Sequence, residues 1–138
     1  YGSIHGHTAK AAKIMQKMLE DRGQKVEIFD LARDDMAEAI ECAYRYDKLV
    51  IATVTYDAGV FPVVEDFVYH LKLKNYQKRT VGIIQNGSWG PVAGKKVKES
   101  LETLKDIKIV DPMVTIRSAL KEGNLTAMEA LADALVAK

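Results

Sequence analysis

The sequence predicts an α/β fold in which a parallel sheet lies between two layers of helices. Amphipathic helical stripes alternate with short β-rich runs along the chain, and two of these runs are almost wholly apolar. Strands of that kind are buried on both faces, and their alternation with helices implies right-handed crossover connections. Because 138 residues suffice for one full core, we expect a single domain over residues 1–138, as part of a longer chain.

Five helices are predicted, because apolar residues recur at every third or fourth position in five segments. Each segment also carries residues that favour the start or the end of a helix. These residues are Thr8 and Gly23 for the first helix, Asp34 or Asp35 for the second, Pro62 for the third, Pro91 for the fourth, and a capping box of Thr126 and Glu129 for the last.

Strand regions are predicted at residues 25–29, 48–54 and 80–84, with a broken region at 107–116 that contains Pro112. A domain of this class usually begins with a strand, whereas this sequence begins at a loop. The run Tyr1-Gly2-Ser3 is typical of a strand end. We therefore expect the first strand of the sheet to be missing or to lie upstream of residue 1.

Composition and charge argue against several classes of function. Lys and Arg number 20 and Asp and Glu number 19, so the net charge of +1 gives no support for binding to nucleic acid or to a membrane. No apolar run approaches the roughly 20 residues of a membrane span. Cys42 is the only cysteine, which excludes an internal disulfide and fits a core position. With no visible signal peptide, we expect a cytoplasmic location.

The first of three unusual loops leads into the first predicted helix. Backbone N–H groups and the positive dipole at a helix start attract anions, and the hydroxyls of Ser3 and Thr8 can donate to phosphate oxygens. Gly6 permits a close backbone approach or a positive φ. A capped helix after an ordinary turn explains the residues equally well, and two histidines are too few for a metal site. The loop comprises Ser3, Ile4, His5, Gly6, His7 and Thr8.

The other two loops follow the strands predicted at residues 48–54 and 80–84. Tyr56 can cover a flat ring whose edge the backbone of residues 57–59 would reach. Trp89 is the only tryptophan, and a loop tryptophan is costly unless it packs on something. That partner is a planar ligand or, alternatively, a neighbouring loop or a partner subunit. The loops are Thr55-Tyr56-Asp57-Ala58-Gly59 and Asn86-Gly87-Ser88-Trp89-Gly90.

Open parallel sheets bind ligands beyond the carboxyl ends of their strands, so we expect the three loops to converge on one ligand. The first loop suits a phosphate, and the other two suit a planar ring. FMN has that shape, with a phosphate at one end and an isoalloxazine at the other. We therefore predict that residues 3–8, 55–59 and 86–90 hold FMN, with no metal ligand and no catalytic residue among them.

The pattern Ser3-x-His5-Gly6-x-Thr8 is similar to the phosphate loop of flavodoxins, with His5 in place of the usual threonine. The longer run at residues 1–8 resembles the corresponding loop of flavodiiron proteins, also called A-type flavoproteins. The runs at 55–62 and 86–91 resemble flavin loops of the same family. This resemblance implies a flavodoxin-like three-layer sandwich with a parallel sheet, and an FMN-binding domain that transfers electrons.

The resemblance also implies partners. Electrons would come from rubredoxin or a reductase and pass to a diiron domain on the facing subunit of a head-to-tail homodimer. Family members carry that diiron site in a separate domain rich in His, Asp and Glu ligands, whereas this sequence has three histidines and no such cluster. We therefore expect an electron-carrier domain of an oxidoreductase rather than a complete enzyme.

Two alternatives remain open from the sequence, and a third is disfavoured. A free-standing flavodoxin, or a flavin reductase that uses NADH and a quinone, would carry the same loops. A flavin-free α/β binding scaffold is compatible with His5 and with the missing strand. A phospho-signalling receiver domain shares the topology but needs an acidic pocket and a Thr or Ser after the fourth strand, where this chain has Asn86-Gly87-Ser88-Trp89.

Asp57 stands where asparagine is common in the family that the loops resemble. A carboxylate beside the flavin disfavours a negative charge on the reduced ring, so Asp57→Asn is expected to raise the second reduction potential. Spectroscopic redox titration of the two proteins measures this difference. A potential that did not rise in the variant would contradict the prediction.

Overall fold

A computed structural model describes residues 1–3, 6–56, 59–87, 92–117 and 120–137. Within these ranges the chain forms five helices and five strands. In chain order they are α1 His7–Asp21, α2 Met36–Arg45, β1 Lys48–Tyr56, β2 Gly59–Val60, α3 Pro62–Leu73, β3 Arg79–Asn86, α4 Ala93–Leu101, β4 Ile107–Ile109, β5 Val114–Ile116 and α5 Glu122–Val136.

Strands β1, β3, β4 and β5 form a parallel sheet, and β2 adds a short antiparallel pairing to β1. The longest pairing joins β1 to β3, from Lys48 opposite Thr80 to Val54 opposite Asn86. Strand β4 pairs with the first half of β3, and β5 pairs with its second half. The broken strand predicted around Pro112 is therefore confirmed.

Side chains of the central strands enter two apolar clusters, one on each face of the sheet. Ile51, Val81 and Ile83 pack in the first cluster with residues of α2, α3 and α4. Ala52 and Ile84 pack in the second with residues of α1 and α5. Because successive strand residues point to opposite faces, two covered faces require the nearly continuous apolar runs seen in the sequence. The predicted three-layer sandwich is confirmed.

The strand predicted at residues 25–29 is wrong, because no strand is formed there. The Tyr1 nitrogen donates to the Phe29 carbonyl at 2.7 Å, and Leu31 N–H donates to the Tyr1 carbonyl at 2.9 Å. On the opposite side, Gly2 N–H donates to the Ala52 carbonyl at 3.0 Å. Tyr1 and Gly2 thus lie between this segment and β1, as expected of a strand end. Within the described chain, no strand lies beside residues 25–28 to complete a ladder.

A groove of about 360 Å³ lies between residues 24–29 and β1. Side chains from helices on both faces of the sheet line it, so the groove lies in the plane of the sheet. Within the described chain, this segment is held at Phe29, by the hydrogen bond from Tyr1 and by packing of the Phe29 side chain against the first apolar cluster. Its apolar lining includes Met15, Val26, Ile28, Cys42, Val50 and Leu135.

Three of the predicted helix signals are confirmed. The Asp35 carboxylate caps α2 by accepting a hydrogen bond from Ala37 N–H at 2.8 Å. Pro62 is the first residue of α3, where its missing N–H costs nothing. Gly23 follows the end of α1 with a φ of +81°, a conformation that glycine adopts without strain.

Two other helix signals are wrong, and a third, Pro91, falls outside the described residues. Helix α1 begins at His7, so Thr8 lies inside the helix and is not its cap. Helix α4 begins at Ala93, after Pro91, which lies outside the described residues. The capping box at residues 126 and 129 lies within α5, which already begins at Glu122.

Asn124 organises the actual start of α5. Its side-chain oxygen accepts a hydrogen bond from Lys121 N–H at 3.0 Å, and its amide donates to the Thr115 carbonyl at 3.0 Å. One side chain therefore caps the helix and ties it to β5.

In the part of the chain that the structure describes, no helix is long and apolar enough to cross a membrane.

Cys42 is a packed core residue. The residue is 7 % exposed, and its thiol donates a hydrogen bond to the Glu27 carboxylate at 2.6 Å. Burial, reinforced by that carboxylate, raises the pKa of the Cys42 thiol to about 11. The nucleophilic thiolate is therefore scarce at neutral pH, as the core interpretation of this cysteine expects.

Tyr76 is wholly buried beside Tyr44, with the two ring centroids 5.3 Å apart in an edge-to-face arrangement. The guanidinium carbon of Arg79 lies 5.4 Å from the centre of the Tyr76 ring. Among the described residues, the Tyr76 hydroxyl is the buried side-chain polar atom that has no hydrogen-bond partner. Burying an unsatisfied hydroxyl lowers the stability of the fold.

Replacing Tyr76 with phenylalanine is expected to leave the free energy of unfolding unchanged or to raise it by about 1 kcal/mol, because the unsatisfied hydroxyl is removed. Tyr44→Phe is the matched control, since the Tyr44 hydroxyl donates to the Leu71 carbonyl at 3.3 Å. That variant should lose up to about 1 kcal/mol. Urea denaturation measures both, and an equal loss in the two variants would contradict the prediction.

Candidate functional site

The described ends of the three predicted loops lie at the carboxyl edge of the sheet. Strand pairing places Val54 opposite Asn86, and Asn86 opposite Ile116. The second and third loops therefore leave neighbouring strands at the same level. Gly2, which precedes the first loop, donates its N–H to the Ala52 carbonyl of β1, the strand that leads into the second loop. The pairing thus brings the starts of all three loops to one edge, as the sequence predicts for ligand-binding loops.

The start of α1 lies near this edge, because Gly2 bonds to β1 shortly before it. Its N-cap residue is Gly6, with a φ of +84°, and glycine has no side chain that could cap the helix. Ser3 Oγ accepts a hydrogen bond from Gly6 N–H at 3.0 Å, which folds the first loop back on the helix start. The first turn contains no acidic residue, and Thr8 lies there with 2 % exposure. An uncapped helix start of this kind attracts an anion.

The start of α4 is arranged in the opposite way, because side chains of the sheet cap it. The Thr55 hydroxyl oxygen accepts hydrogen bonds from Val92 N–H at 3.1 Å and from Ala93 N–H at 3.2 Å. The Gln85 side-chain oxygen accepts a third, from Gly94 N–H, at 2.8 Å. The N–H groups at this helix start are therefore occupied by the chain's own oxygen atoms. Among the described residues, no side chain accepts from the first-turn N–H groups of α1, so of these two helix starts that of α1 is the candidate for binding an anion.

Buried polar residues lie at the carboxyl ends of the central strands, next to the start of the third loop. Gln85 and Asn86, at the end of β3, are 7 % and 5 % exposed, and Thr53 on β1 is wholly buried. Gly87 N–H donates to the Ile116 carbonyl at 3.0 Å, which fixes the beginning of the loop. The sequence prediction included Asn86 and Gly87 but missed Gln85. The available signal was a glutamine directly after the apolar strand residues at 80–84.

The structure describes some of the predicted site residues and not others. Ser3, Gly6, His7 and Thr8 lie at the start of α1, and Thr55 and Gly59 lie at the ends of β1 and β2. The backbone of Tyr56 pairs with Gly59, while its side chain lies outside the description. Also outside the described residues are Ile4, His5, Asp57, Ala58, Ser88, Trp89 and Gly90. Among the described residues, no three His, Cys, Asp or Glu side chains are grouped to hold a metal ion.

Five helices packed on a mostly parallel sheet, with loops gathered at its carboxyl edge, define a flavodoxin-like fold. A family model described as flavodoxin matches residues 1–130. The chain therefore belongs to the flavodoxin family. That family implies a flavin cofactor. The backbone N–H groups at the start of α1 and the hydroxyl of Ser3 are donors of the kind that a phosphate accepts from.

Solved structures support the same fold. The rubredoxin oxygen:oxidoreductase of Desulfovibrio gigas matches with a TM-score of 0.88 and 16% identity, over 98% of this chain and 33% of that chain. The flavodiiron protein of Giardia intestinalis matches with a TM-score of 0.84 and 16% identity, over 96% of this chain and 33% of that one. This chain therefore spans about a third of the length of these two proteins.

A free-standing flavodoxin is similar over nearly its whole length. Flavodoxin 1 from Bacillus cereus matches with a TM-score of 0.80 and 15% identity, over 98% of this chain and 92% of that chain. No curated protein sequence matches this chain. Sequence identities of 15% to 16% show a shared fold.

Gly6→Ala is expected to strain the start of α1, because alanine is disfavoured at a φ of +84° although a Cβ there would meet nothing within 4 Å. We expect a loss of about 1 kcal/mol in stability together with weaker anion binding. Gly23→Ala is the matched control, since Gly23 has a φ of +81° and equal space but lies at the far end of α1.

Chemical denaturation of both variants should therefore show similar losses of stability. Isothermal titration with FMN should show weaker binding for Gly6→Ala alone. Equal weakening in both variants would mean that the helix start has no particular role in binding.

Proposed function

We propose that the chain binds FMN at the carboxyl edge of the sheet and transfers electrons through it. The observation that carries this proposal is the contrast between two helix starts at that edge. Side-chain oxygens of Thr55 and Gln85 accept from the N–H groups at the start of α4, whereas among the described residues no side chain accepts from the N–H groups in the first turn of α1. An anion is accordingly favoured at α1 and not at α4.

The phosphate would be held by dipoles rather than by an ion pair. Residues 3–8 contain no Lys or Arg, so backbone N–H groups and the hydroxyls of Ser3 and Thr8 supply the donors. Lys10, exposed in the second turn of α1, adds a positive charge nearby. Gly6 in its left-handed conformation lets the backbone turn towards the anion without steric cost.

The ring would be held by the second and third loops. Tyr56 and Trp89 are proposed to border the isoalloxazine, and the backbone of residues 57–59 to reach its edge. These aromatic side chains exclude water, which raises the energetic cost of negative charge on the ring. When bound, FMN supplies the electron-transfer chemistry, and the protein supplies binding, orientation and electrostatics.

We further propose that this domain works within a longer protein of the flavodiiron type. Electrons would enter from rubredoxin or a reductase and leave for a diiron domain on the facing subunit of a homodimer. The similarity to the rubredoxin oxygen:oxidoreductase over 98% of this chain supports this assignment. The second candidate is a free-standing flavodoxin, favoured by the similarity to a Bacillus cereus flavodoxin over 92% of that chain.

Titration of the purified chain with FMN tests the binding proposal. We expect quenching of FMN fluorescence and a shifted visible spectrum, with weaker binding of riboflavin because it lacks the phosphate. Inorganic phosphate should compete with FMN for the start of α1. Well-folded protein that leaves the fluorescence and spectrum of excess FMN unchanged would disprove the proposal.

Trp89→Ala is expected to weaken FMN binding about tenfold or to shift its reduction potential, because a stacking surface beside the ring is lost. Tyr69→Ala on α3 is the control, since Tyr69 is an aromatic residue that is 57 % exposed. Fluorescence titration and spectroscopic redox titration make the two measurements. Unchanged affinity and unchanged potential in the Trp89 variant would show that the tryptophan is only structural.

A further inference from the structure

We infer that Thr55 and Gln85 are positioning residues: they fix residues 92–94, where the third loop enters α4, and Trp89 on that loop contributes to flavin binding only when this end of the loop is held. The inference rests on the proposed FMN site and deepens it. It assigns the hydroxyl of Thr55, placed by the sequence among direct cofactor contacts, to the start of α4. It also adds Gln85, which the sequence interpretation did not include.

The loop is anchored at both of its ends. At its beginning, Gly87 N–H donates to the Ile116 carbonyl of β5 at 3.0 Å. At its end, Val92 N–H and Ala93 N–H both donate to Thr55 Oγ1, at 3.1 and 3.2 Å. One hydroxyl on β1 therefore holds the point at which the loop enters α4. The four residues between these anchors include Trp89.

Gln85 is itself held rigidly. Its side-chain oxygen accepts from Gly94 N–H at 2.8 Å, while its amide donates to the Thr115 hydroxyl on β5 at 2.9 Å. A Cβ at Gly94 would lie 2.8 Å from the Gln85 side chain and 2.6 Å from Met113 Sδ. Glycine at position 94 is thus required for α4 to approach the sheet closely enough to be capped by Gln85.

These contacts are local to the start of α4. The body of the helix is anchored separately, because Val97 and Leu101 are buried in the apolar cluster on that face of the sheet. Losing the Thr55 hydroxyl leaves two partly buried N–H groups without a protein acceptor, which destabilises the loop end relative to alternative conformations. The apparent affinity for FMN then falls with the fraction of chains in which the loop is in place.

The first experiment measures the environment of the Trp89 side chain in the absence of flavin. Trp89 is the only tryptophan, so its fluorescence and its quenching by acrylamide report on this loop alone. Thr55→Val should change both signals, whereas Thr55→Ser, which keeps the accepting oxygen, should restore the wild-type values. Thr103→Val is the control, because the Thr103 hydroxyl bonds to Ser100 O beyond the opposite end of α4.

The second experiment is a double-mutant cycle with FMN. Thr55→Val should weaken FMN binding about tenfold in the wild-type background, while Thr55→Ser stays within about twofold. In a Trp89→Ala background, Thr55→Val should have less than about a twofold effect, because the side chain that it positions is absent. Gln85→Met, which removes the acceptor for Gly94 N–H, should follow the same pattern and serves if Thr55→Val does not fold.

The outcomes separate this inference from the proposed function. If wild-type protein fails to bind FMN while Thr55→Val still changes the Trp89 signal, the proposed function and the flavin part of the inference both fail, and only the loop anchoring stands. If FMN binds and Thr55→Val matches Thr55→Ser in affinity and fluorescence, positioning is overturned. A tenfold loss that persists in the Trp89→Ala background would also overturn it, since Thr55 would then act on the cofactor directly.

Discussion

The pairing of β1 with β3 is the interaction on which the rest of the structure depends. It runs in register from Lys48 opposite Thr80 to Val54 opposite Asn86. This register divides the apolar side chains between the two faces and thereby creates two separate clusters for the helices to cover. It also brings the carboxyl ends of both strands to the same edge of the sheet, where β1 continues two residues beyond Val54 to Tyr56. Shifting the register by one residue would turn each inward side chain to the other face and separate Thr55 from α4.

The starts of α1 and α4, both at the carboxyl edge of the sheet, differ in which atoms accept hydrogen bonds from their N–H groups. Every helix start carries N–H groups that need acceptors, and buried groups without acceptors are costly. At α4 the sheet supplies the acceptors from Thr55 and Gln85, and Gly94 permits the close approach. At α1 the Gly6 conformation and the Ser3 hydroxyl shape the backbone, and among the described residues no side chain accepts from the first-turn N–H groups. The need for hydrogen-bond acceptors is therefore met by the sheet at α4, which fixes the end of the third loop, whereas at α1 it makes the helix start a candidate anion site.

Sequence reasoning succeeded where the signal was periodic or conformational. The stripes of apolar residues predicted all five helices, and the two apolar runs predicted β1 and β3, because burial imposes its period directly on the residues. Gly23 marked the end of α1 because a positive φ selects glycine. The reasoning failed at residues 25–29, where a β-rich composition forms no strand without a neighbouring strand to complete a ladder.

The sequence by itself determined the layered α/β fold, the three loops at strand ends and the membership of a flavin-binding class. Those properties are encoded in neighbouring residues, through their periodicity, their turns and their short motifs. Only the tertiary structure decided which atoms satisfy each helix start. Thr55 lies 37 residues before Val92 in the chain, and Asn124 reaches back across nine residues to Thr115. Such hydrogen bonds follow from strand register and helix packing, which no local pattern in the chain contains.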